Sequence, residues 1–151
     1  MKICFAASSG GHLEEVACLK KIIEENDSFL FTEKGEFNEL QIFGKVYYVR
    51  QINRREPQFL FRLIEIFIKS WKIICKESPD CIISTGALAT FPICLIGKIF
   101  GKKIIYIESF ARIDKGSLTG KFMYYIADLF IIQWEELLKV YPNAVYTGGI
   151  F

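Results

Sequence analysis

Residues 2–12 read KICFAASSGGH, a run of six mostly apolar residues followed by small and polar residues and a histidine. An apolar run of this length predicts a buried β-strand, and the glycine pair predicts a tight turn. Residues 13–25 then carry apolar side chains at helical spacing, which predicts an α-helix. The first 25 residues are therefore expected to form a strand, a glycine turn and a helix.

The same alternation of strand and helix continues along the chain. Further short apolar strands are predicted at Ser28–Thr32, Val46–Val49, Cys81–Ser84, Ile104–Ile107, Leu129–Ile132 and Ala144–Tyr146. Helices are predicted from Pro57 to about Glu77, at Pro92–Phe100 and at Ser117–Ala127. This order indicates an α/β fold with a Rossmann-like, doubly wound and mostly parallel sheet. Right-handed crossovers bring the strand-to-helix loops together at the carboxyl edge of such a sheet, so we expect the functional site there.

Composition limits the classes of protein that this chain can be. Its 151 residues, 52% of them hydrophobic and 24% charged, fit one domain over residues 1–151 with a compact core. A formal charge of +2 is too balanced to indicate nucleic-acid binding. The five cysteines form no CxxC pair and His12 is the only histidine, so we expect neither a metal nor a disulfide framework.

The first glycine loop is a candidate anion site. Ser9, Gly10, Gly11 and His12 lie between the first strand and the first helix, where free amides and the helix dipole favour an anion such as a diphosphate. A plain tight turn is the simple alternative. A dinucleotide site is another, because Glu33 follows about 20 residues later, although the GxGxxG spacing is absent.

His12 is the candidate base of this loop. An imidazole titrates near neutrality and accepts a proton from a hydroxyl nucleophile, or alternatively only positions the substrate. Glu15 lies three residues further on, where it either orients His12 or caps the start of the helix. A histidine that serves only the core or the helix cap is the structural alternative.

Two more loops end in polar side chains after apolar strands. The hydroxyls of Thr85 and Thr90, with Gly86, suit a sugar or a phosphate. In the third loop, Glu108 is followed by the hydroxyl of Ser109 and the guanidinium of Arg112, which we expect at the same edge of the sheet. A plain ion pair between Glu108 and Arg112 is the alternative. Residues 116–121, GSLTGK, lack the glycine spacing of a phosphate-binding loop, and we reject that interpretation.

The helix after Pro57 is apolar over more than the one face that a sheet-packing helix needs. Its charged residues form one mostly basic stripe. We interpret part of this helix as a surface for the membrane interface or for a partner. The residues assigned to that surface are Phe59, Phe61, Arg62, Lys69, Trp71 and Lys72.

With these loops in place the chain resembles a known family. The resemblance is carried by Gly10-Gly11-His12 with Glu15, by residues 106–109 (YIES) with Arg112, and by the segments SLTGK at 117–121, AD at 127–128, IQWE at 132–135, YP at 141–142 and VY at 145–146. This family is the membrane-associated subunit of the two-part N-acetylglucosaminyltransferase that extends dolichol-diphosphate-linked sugar, with bacterial relatives in capsule and exopolysaccharide synthesis. More distantly, the chain is similar to the acceptor-side, N-terminal half of the peptidoglycan lipid II glycosyltransferase, which has the GT-B fold.

The resemblance implies a division of labour. A separate catalytic subunit, with a GT-B C-terminal-type domain, would carry most of the UDP-sugar site, and this chain alone would have little activity. The acceptor, a polyprenyl-diphosphate-linked saccharide, would be held by Ser9, Gly10, Gly11 and His12. Nearby contacts would come from Thr85, Gly86, Thr90, Glu108, Ser109 and Arg112. No metal or covalently bound cofactor is implied.

We therefore expect the acceptor-binding subunit of a heteromeric hexosyltransferase, peripheral on the cytoplasmic face of a membrane. Its pathway would be capsule, exopolysaccharide or lipid-linked oligosaccharide synthesis. One alternative is a pure scaffold that anchors the catalytic subunit without touching substrate. Another is a free-standing nucleotide-binding oxidoreductase domain, which the missing third glycine disfavours.

Overall fold

A seven-stranded parallel sheet forms the centre of the computed structural model, which describes residues 1–34 and 42–150. Its order is β3-β2-β1-β4-β5-β6-β7, with every neighbouring pair parallel. The strands are Lys2–Ala7 (β1), Asp27–Glu33 (β2), Val46–Val49 (β3), Cys81–Ser84 (β4), Lys103–Ile107 (β5), Leu129–Ile132 (β6) and Val145–Tyr146 (β7). The predicted doubly wound, Rossmann-like fold is confirmed, and each strand lies within a residue or two of its predicted place.

Helices cover both faces of the sheet. They are Gly11–Ala17 (α1), Lys20–Glu24 (α2), Phe59–Glu77 (α3), Phe91–Ile99 (α4) and Leu118–Ile126 (α5), with 3₁₀ turns at Leu88–Thr90 and Glu135–Lys139. Helices α1 and α2 pack on one face, and α3, α4 and α5 pack on the other. In β1, Cys4 and Ala6 join one apolar cluster while Ile3 and Phe5 join the other. The strands are apolar throughout because alternate side chains enter opposite cores.

Two of the predicted helices differ from the prediction by more than one residue. The single helix expected over 13–25 is two short helices, because the amide of Leu19 bonds to the carbonyl of Val16, a tighter i to i+3 turn that interrupts the α-helical ladder. Helix α3 begins at Phe59, after Pro57, because the Phe59 amide bonds to the carbonyl of Glu56 and closes a separate turn.

The topology fixes where the loops diverge. Strands β1 and β4 are neighbours in the sheet, and the order of the strands reverses between them. The helices that follow these two strands cover opposite faces of the sheet. A crevice opens at the carboxyl edge of a sheet at such a switch point. Residues 8–12 and 85–90, which follow β1 and β4, border this crevice.

A buried carboxylate links several elements at the end of the molecule opposite this crevice. Glu77, the last residue of α3, has a side chain that is 3% exposed. It accepts hydrogen bonds from Lys2 Nζ at 2.6 Å, from the Tyr47 hydroxyl and from Lys45 Nζ at 2.9 Å. Hydrogen bonding by Lys2 first, then by Tyr47 and Lys45, lowers the pKa of Glu77 to about 2.

Stability is therefore expected to depend on pH through this carboxylate. Because the pKa of Glu77 is lower in the folded chain than in the unfolded one, its contribution is complete above about pH 4.5 and is lost as the pH falls toward 2. The contribution is of the order of 3 kcal/mol. Urea unfolding at pH 7 and pH 3 measures it, with Glu77→Gln expected to lose stability at pH 7 and to flatten the pH dependence. The exposed Glu24 serves as control, since Glu24→Gln is expected to cost less than about 1 kcal/mol. Equal pH slopes for Glu77→Gln and the unchanged chain would refute this assignment.

Candidate functional site

The first glycine loop turns sharply before α1. Gly10 has a φ of +87°, a conformation that favours glycine, and its carbonyl accepts the amides of Leu13 and Glu14. Ser9 and Gly10 are half-buried and Gly11 is exposed, with open space where its Cβ would be. The loop is therefore open on its outer side, where the sequence predicts the acceptor diphosphate.

His12 faces a buried carboxylate. Its Nδ1 lies 3.7 Å from Oε2 of Glu15, and both atoms are buried without a hydrogen bond. The other oxygen of Glu15 accepts the amide of Phe110 at 2.7 Å and the hydroxyl of Ser109 at 3.1 Å. These bonds hold the carboxylate beside the imidazole, and a small rotation would bring the pair to hydrogen-bond distance. Glu15 thus lies beside His12, and its orienting role stays a prediction.

The second loop, residues 84–90, packs against His12. Gly86 has a φ of +120°, and a Cβ there would lie 3.0 Å from Cε1 of His12 and 3.2 Å from the Tyr106 hydroxyl. The hydroxyl of Thr85 donates to the carbonyl of His12 at 2.7 Å. The hydroxyl of Thr90 bonds within its own loop, to the carbonyl of Gly86. These three residues are buried, so their observed contacts position the loop and His12.

Glu108 is fully buried and holds the third loop. Its carboxylate accepts the Tyr141 hydroxyl at 2.9 Å and the amides of Ser117 and Ser109, both at 3.1 Å. The ion pair with Arg112 that the sequence left open does not form within the described residues. Glu108 therefore fixes the loop that carries Arg112.

Two adjoining cavities lie at this edge of the sheet. The larger, of about 570 Å³, is lined by His12, Arg54, Ala87, Leu88, Ser109, Ala111, Arg112, Ser117, Leu118 and Thr119. The smaller, of about 330 Å³, is lined by Gly11, His12, Glu15, Ser109, Phe110 and Ala111. His12, Ser109 and Ala111 line both. The structure thus brings together parts of all three predicted loops around His12, the second through Ala87 and Leu88.

Arg54 is a charged cavity residue that sequence reasoning missed, and Ser117 and Thr119 are polar ones that were also missed. Arg54 lies in the loop after β3, among several charged residues that have no motif. The available signal was topological, because β3 ends at the same edge of the sheet as β1 and β5. Among the described residues, no group of three or more His, Cys, Asp and Glu side chains lies close enough to hold a metal ion.

Helix α3 exposes an apolar surface, which we call the α3 surface. Its members are Leu60, Phe61, Ile64, Ile68 and Trp71. A groove of about 470 Å³ continues it toward α4 and is lined by Phe67, Ile68, Trp71, Lys72, Ile96 and Ile99.

The residues predicted for a membrane or partner surface divide into two groups. Phe61, Trp71 and Lys72 are exposed, and Phe59 is half-buried. Arg62 pairs with Glu56, and Lys69 donates to the carbonyl of Tyr48, so two of the predicted cations contact the protein itself. None of the helices in the described residues is both long enough and apolar enough to span a bilayer.

Comparison with solved structures defines the fold class. MurG of Acinetobacter baumannii superimposes with a TM-score of 0.72 and 12% identity, over 90% of this chain and 43% of that one. The UDP-N-acetylglucosamine 2-epimerase of Rickettsia bellii gives 0.75 and 13%, over 99% of this chain and 45% of that one. This chain therefore spans a little under half of each protein. Its fold is equivalent to the N-terminal half of a GT-B glycosyltransferase.

The particular family follows from sequence comparison. Residues 29–150 match the family described as oligosaccharide biosynthesis protein Alg14 like, and the chain belongs to that family. It is 28% identical to the human UDP-N-acetylglucosamine transferase subunit ALG14 over 180 aligned residues, which cover 99% of this chain and 83% of that protein. The resemblance to the two-part transferase family is thereby confirmed.

Proposed function

We propose that this chain is the acceptor-binding, membrane-associating subunit of a heteromeric glycosyltransferase. The reaction moves a sugar from a UDP-sugar to a polyprenyl-diphosphate-linked saccharide. Membership of the Alg14-like family supports this proposal, as does the name of its human relative, a UDP-N-acetylglucosamine transferase subunit. The observation that carries it is the polar cavity at the switch point, which is lined by His12 and Arg112, with Glu15 next to His12.

The proposed chemistry is an inverting displacement. The acceptor hydroxyl attacks the anomeric carbon of the donor sugar, the bond from that carbon to the UDP oxygen breaks, and His12 or a partner residue takes the hydroxyl proton. Glu15 faces the imidazole and would stabilise its protonated form. Arg112 and the open glycine loop would bind the acceptor diphosphate.

A separate catalytic subunit completes the proposed enzyme. This chain has the fold of one GT-B half, and in a GT-B enzyme ligands occupy the cleft between two such halves. The partner, with a C-terminal-type GT-B domain, would hold the UDP-sugar. We propose that the pair acts in lipid-linked oligosaccharide, capsule or exopolysaccharide synthesis at the cytoplasmic face of the membrane.

Sugar transfer from UDP-sugars to a prenyl-diphosphate saccharide tests this function. We expect transfer by the pair and little or none by either chain alone. Full activity of this chain alone, or no transfer by the pair with any UDP-hexose, would contradict the proposal. The double variant His12→Ala, Arg112→Ala separates it from the scaffold alternative, because an unchanged rate in that variant would show that this chain does not touch the substrate.

The α3 surface is the proposed membrane contact. Five large apolar side chains are exposed along one helix, and Lys72 lies at the edge of the adjoining groove. Such a helix lies in the interface with its apolar face among the acyl chains and its cations near anionic headgroups. This arrangement supports peripheral binding through α3.

Co-sedimentation with anionic vesicles at low salt tests the α3 surface. The double variant Phe61→Ser, Trp71→Ser is expected to reduce vesicle partitioning by more than about tenfold, because each side chain contributes about 1.5–3 kcal/mol when buried. Ile22→Ser on α2, which covers the other face of the sheet, is the matched control and is expected to bind like the unchanged chain. Equal losses in both variants would exclude α3 as the contact.

A further inference from the structure

Arg54 sits on a loop that is held at its base. Glu33, at the end of β2, is 7% exposed and accepts the amide of Ile52 at 3.2 Å. The carbonyl of Asn53 accepts the amide of Glu56 at 3.1 Å, and its side-chain oxygen accepts the amide of Arg55, also at 3.1 Å. These bonds form a turn over residues 53–56 with Arg54 near its tip. Glu33, which was the candidate ribose ligand of a dinucleotide site, thus accepts a hydrogen bond from this loop.

The turn brings Arg54 to the same cavity as Arg112, from the other side of the switch point. Strands β2, β1 and β4 lie between β3 and β5, the strands that precede the two loops. Four strand spacings amount to about 19 Å, and two long side chains span much of that distance. Both arginines line the cavity of about 570 Å³, which His12 also lines.

The guanidinium groups of Arg54 and Arg112 both lack a carboxylate partner in the part of the chain that the structure describes, residues 1–34 and 42–150. Two other arginines of the same region do have partners, since Arg50 pairs with Glu65 and Arg62 pairs with Glu56. Helix α5 also begins at this cavity, where the carboxylate of Glu108 accepts the Ser117 amide.

This arrangement selects an anion with several oxygens. A guanidinium offers a planar fork of donors that matches phosphate oxygens, and two forks that converge from opposite sides match two linked phosphates. The cavity volume lies within the usual range for a small-molecule site and leaves space for an attached sugar. A diphosphate ester fits the charge, the donors and the space.

We propose that Arg54 binds the diphosphate of the lipid-linked acceptor together with Arg112. The identity of the ligand rests on the proposed function, whereas the affinity of the two arginines for a diphosphate does not. The UDP-sugar donor carries the same chemical group. We assign the site to the acceptor because this chain supplies only one half of the GT-B cleft, and the donor belongs to the partner's half.

Direct binding tests Arg54 without reference to activity. Calorimetry of the full chain with inorganic diphosphate and with farnesyl diphosphate is expected to show binding, and Arg54→Ala is expected to weaken it by about 10- to 100-fold. Arg55→Ala is the matched control, one residue away on the same turn and outside the cavity lining, and is expected to stay within about twofold. Arg54→Lys is expected to fall between them, because a lysine keeps the charge but not the fork. Absence of binding by the unchanged chain, or equal losses in Arg54→Ala and Arg55→Ala, would overturn the inference.

Kinetics of the assembled pair identify which diphosphate is bound. For Arg54→Ala we expect the KM for the acceptor to rise at least about tenfold while the KM for the UDP-sugar stays within about twofold. A rise in the donor KM instead would overturn the assignment to the acceptor. Inactivity of the unchanged pair would refute the proposed function, and the calorimetric comparison would still decide whether Arg54 holds a diphosphate.

Discussion

Replacing His12 with alanine is expected to lower the turnover of the assembled transferase by about 10²- to 10⁴-fold, the range typical for loss of a general base. The reason is geometric. His12 lines both cavities at the switch point, and Glu15, Gly86 and Thr85 each contact or approach it from the protein side. Single-turnover assays of the pair, with the acceptor saturating, measure the chemical step directly.

The neighbouring residues provide controls for His12. Glu14→Ala removes an exposed carboxylate from the same helix and is expected to leave the turnover unchanged. Glu15→Gln keeps the size of the side chain and its bond to the Phe110 amide but removes the charge beside His12. We expect an intermediate loss of about tenfold to 100-fold, because an uncharged partner stabilises a protonated imidazole less well. If His12→Ala retains full turnover while the complex stays intact, the base lies on the partner subunit.

The order of the elements could be predicted from the sequence because it depends on local patterns. The run at Lys2–Ala7 is apolar on both faces. This pattern is typical of a strand in a sheet that is covered by helices on both sides. The right-handed crossover rule then predicted that the strand-to-helix loops meet at the carboxyl edge of the sheet. The break between α1 and α2 was missed, because a single i to i+3 bond at Leu19 leaves the apolar spacing of the helix almost unchanged.

Only those parts of the site that follow from the topology of the sheet could be predicted from the sequence. The carboxyl ends of β1, β4 and β5 led to the loops that carry His12, Gly86 and Arg112. The contact of Glu15 with Ser109 joins residues 94 positions apart, and no spacing rule indicates such a pair. Arg54 was missed for the same reason, since its role depends on a turn fixed by the distant Glu33.

The second large effect is expected on stability at Gly120, which lies in residues 116–121, the segment rejected above as a phosphate-binding loop. Gly120→Ala is expected to lower the free energy of unfolding by about 3–5 kcal/mol, the cost of breaking a buried charged network. A Cβ at Gly120 would lie 2.0 Å from Oε2 of Glu108 and 2.8 Å from the Tyr141 hydroxyl. The carboxylate cannot move away without losing the bonds from Tyr141 and from the amide of Ser117. The glycine is therefore required for packing against Glu108.

Urea unfolding of three variants separates this clash from a general effect of adding a methyl group. Gly44→Ala is the matched control, because no atom of the described residues lies within 4 Å of a Cβ there, and a change within about 0.5 kcal/mol is expected. Glu108→Ala alone is expected to destabilise the chain, because it leaves the Tyr141 hydroxyl and the Ser117 amide without their acceptor. In the double variant Gly120→Ala, Glu108→Ala the clash has no partner, so the two losses should be clearly less than additive. Strict additivity would mean that Gly120 and Glu108 act independently, and the close approach between them would then have no energetic consequence.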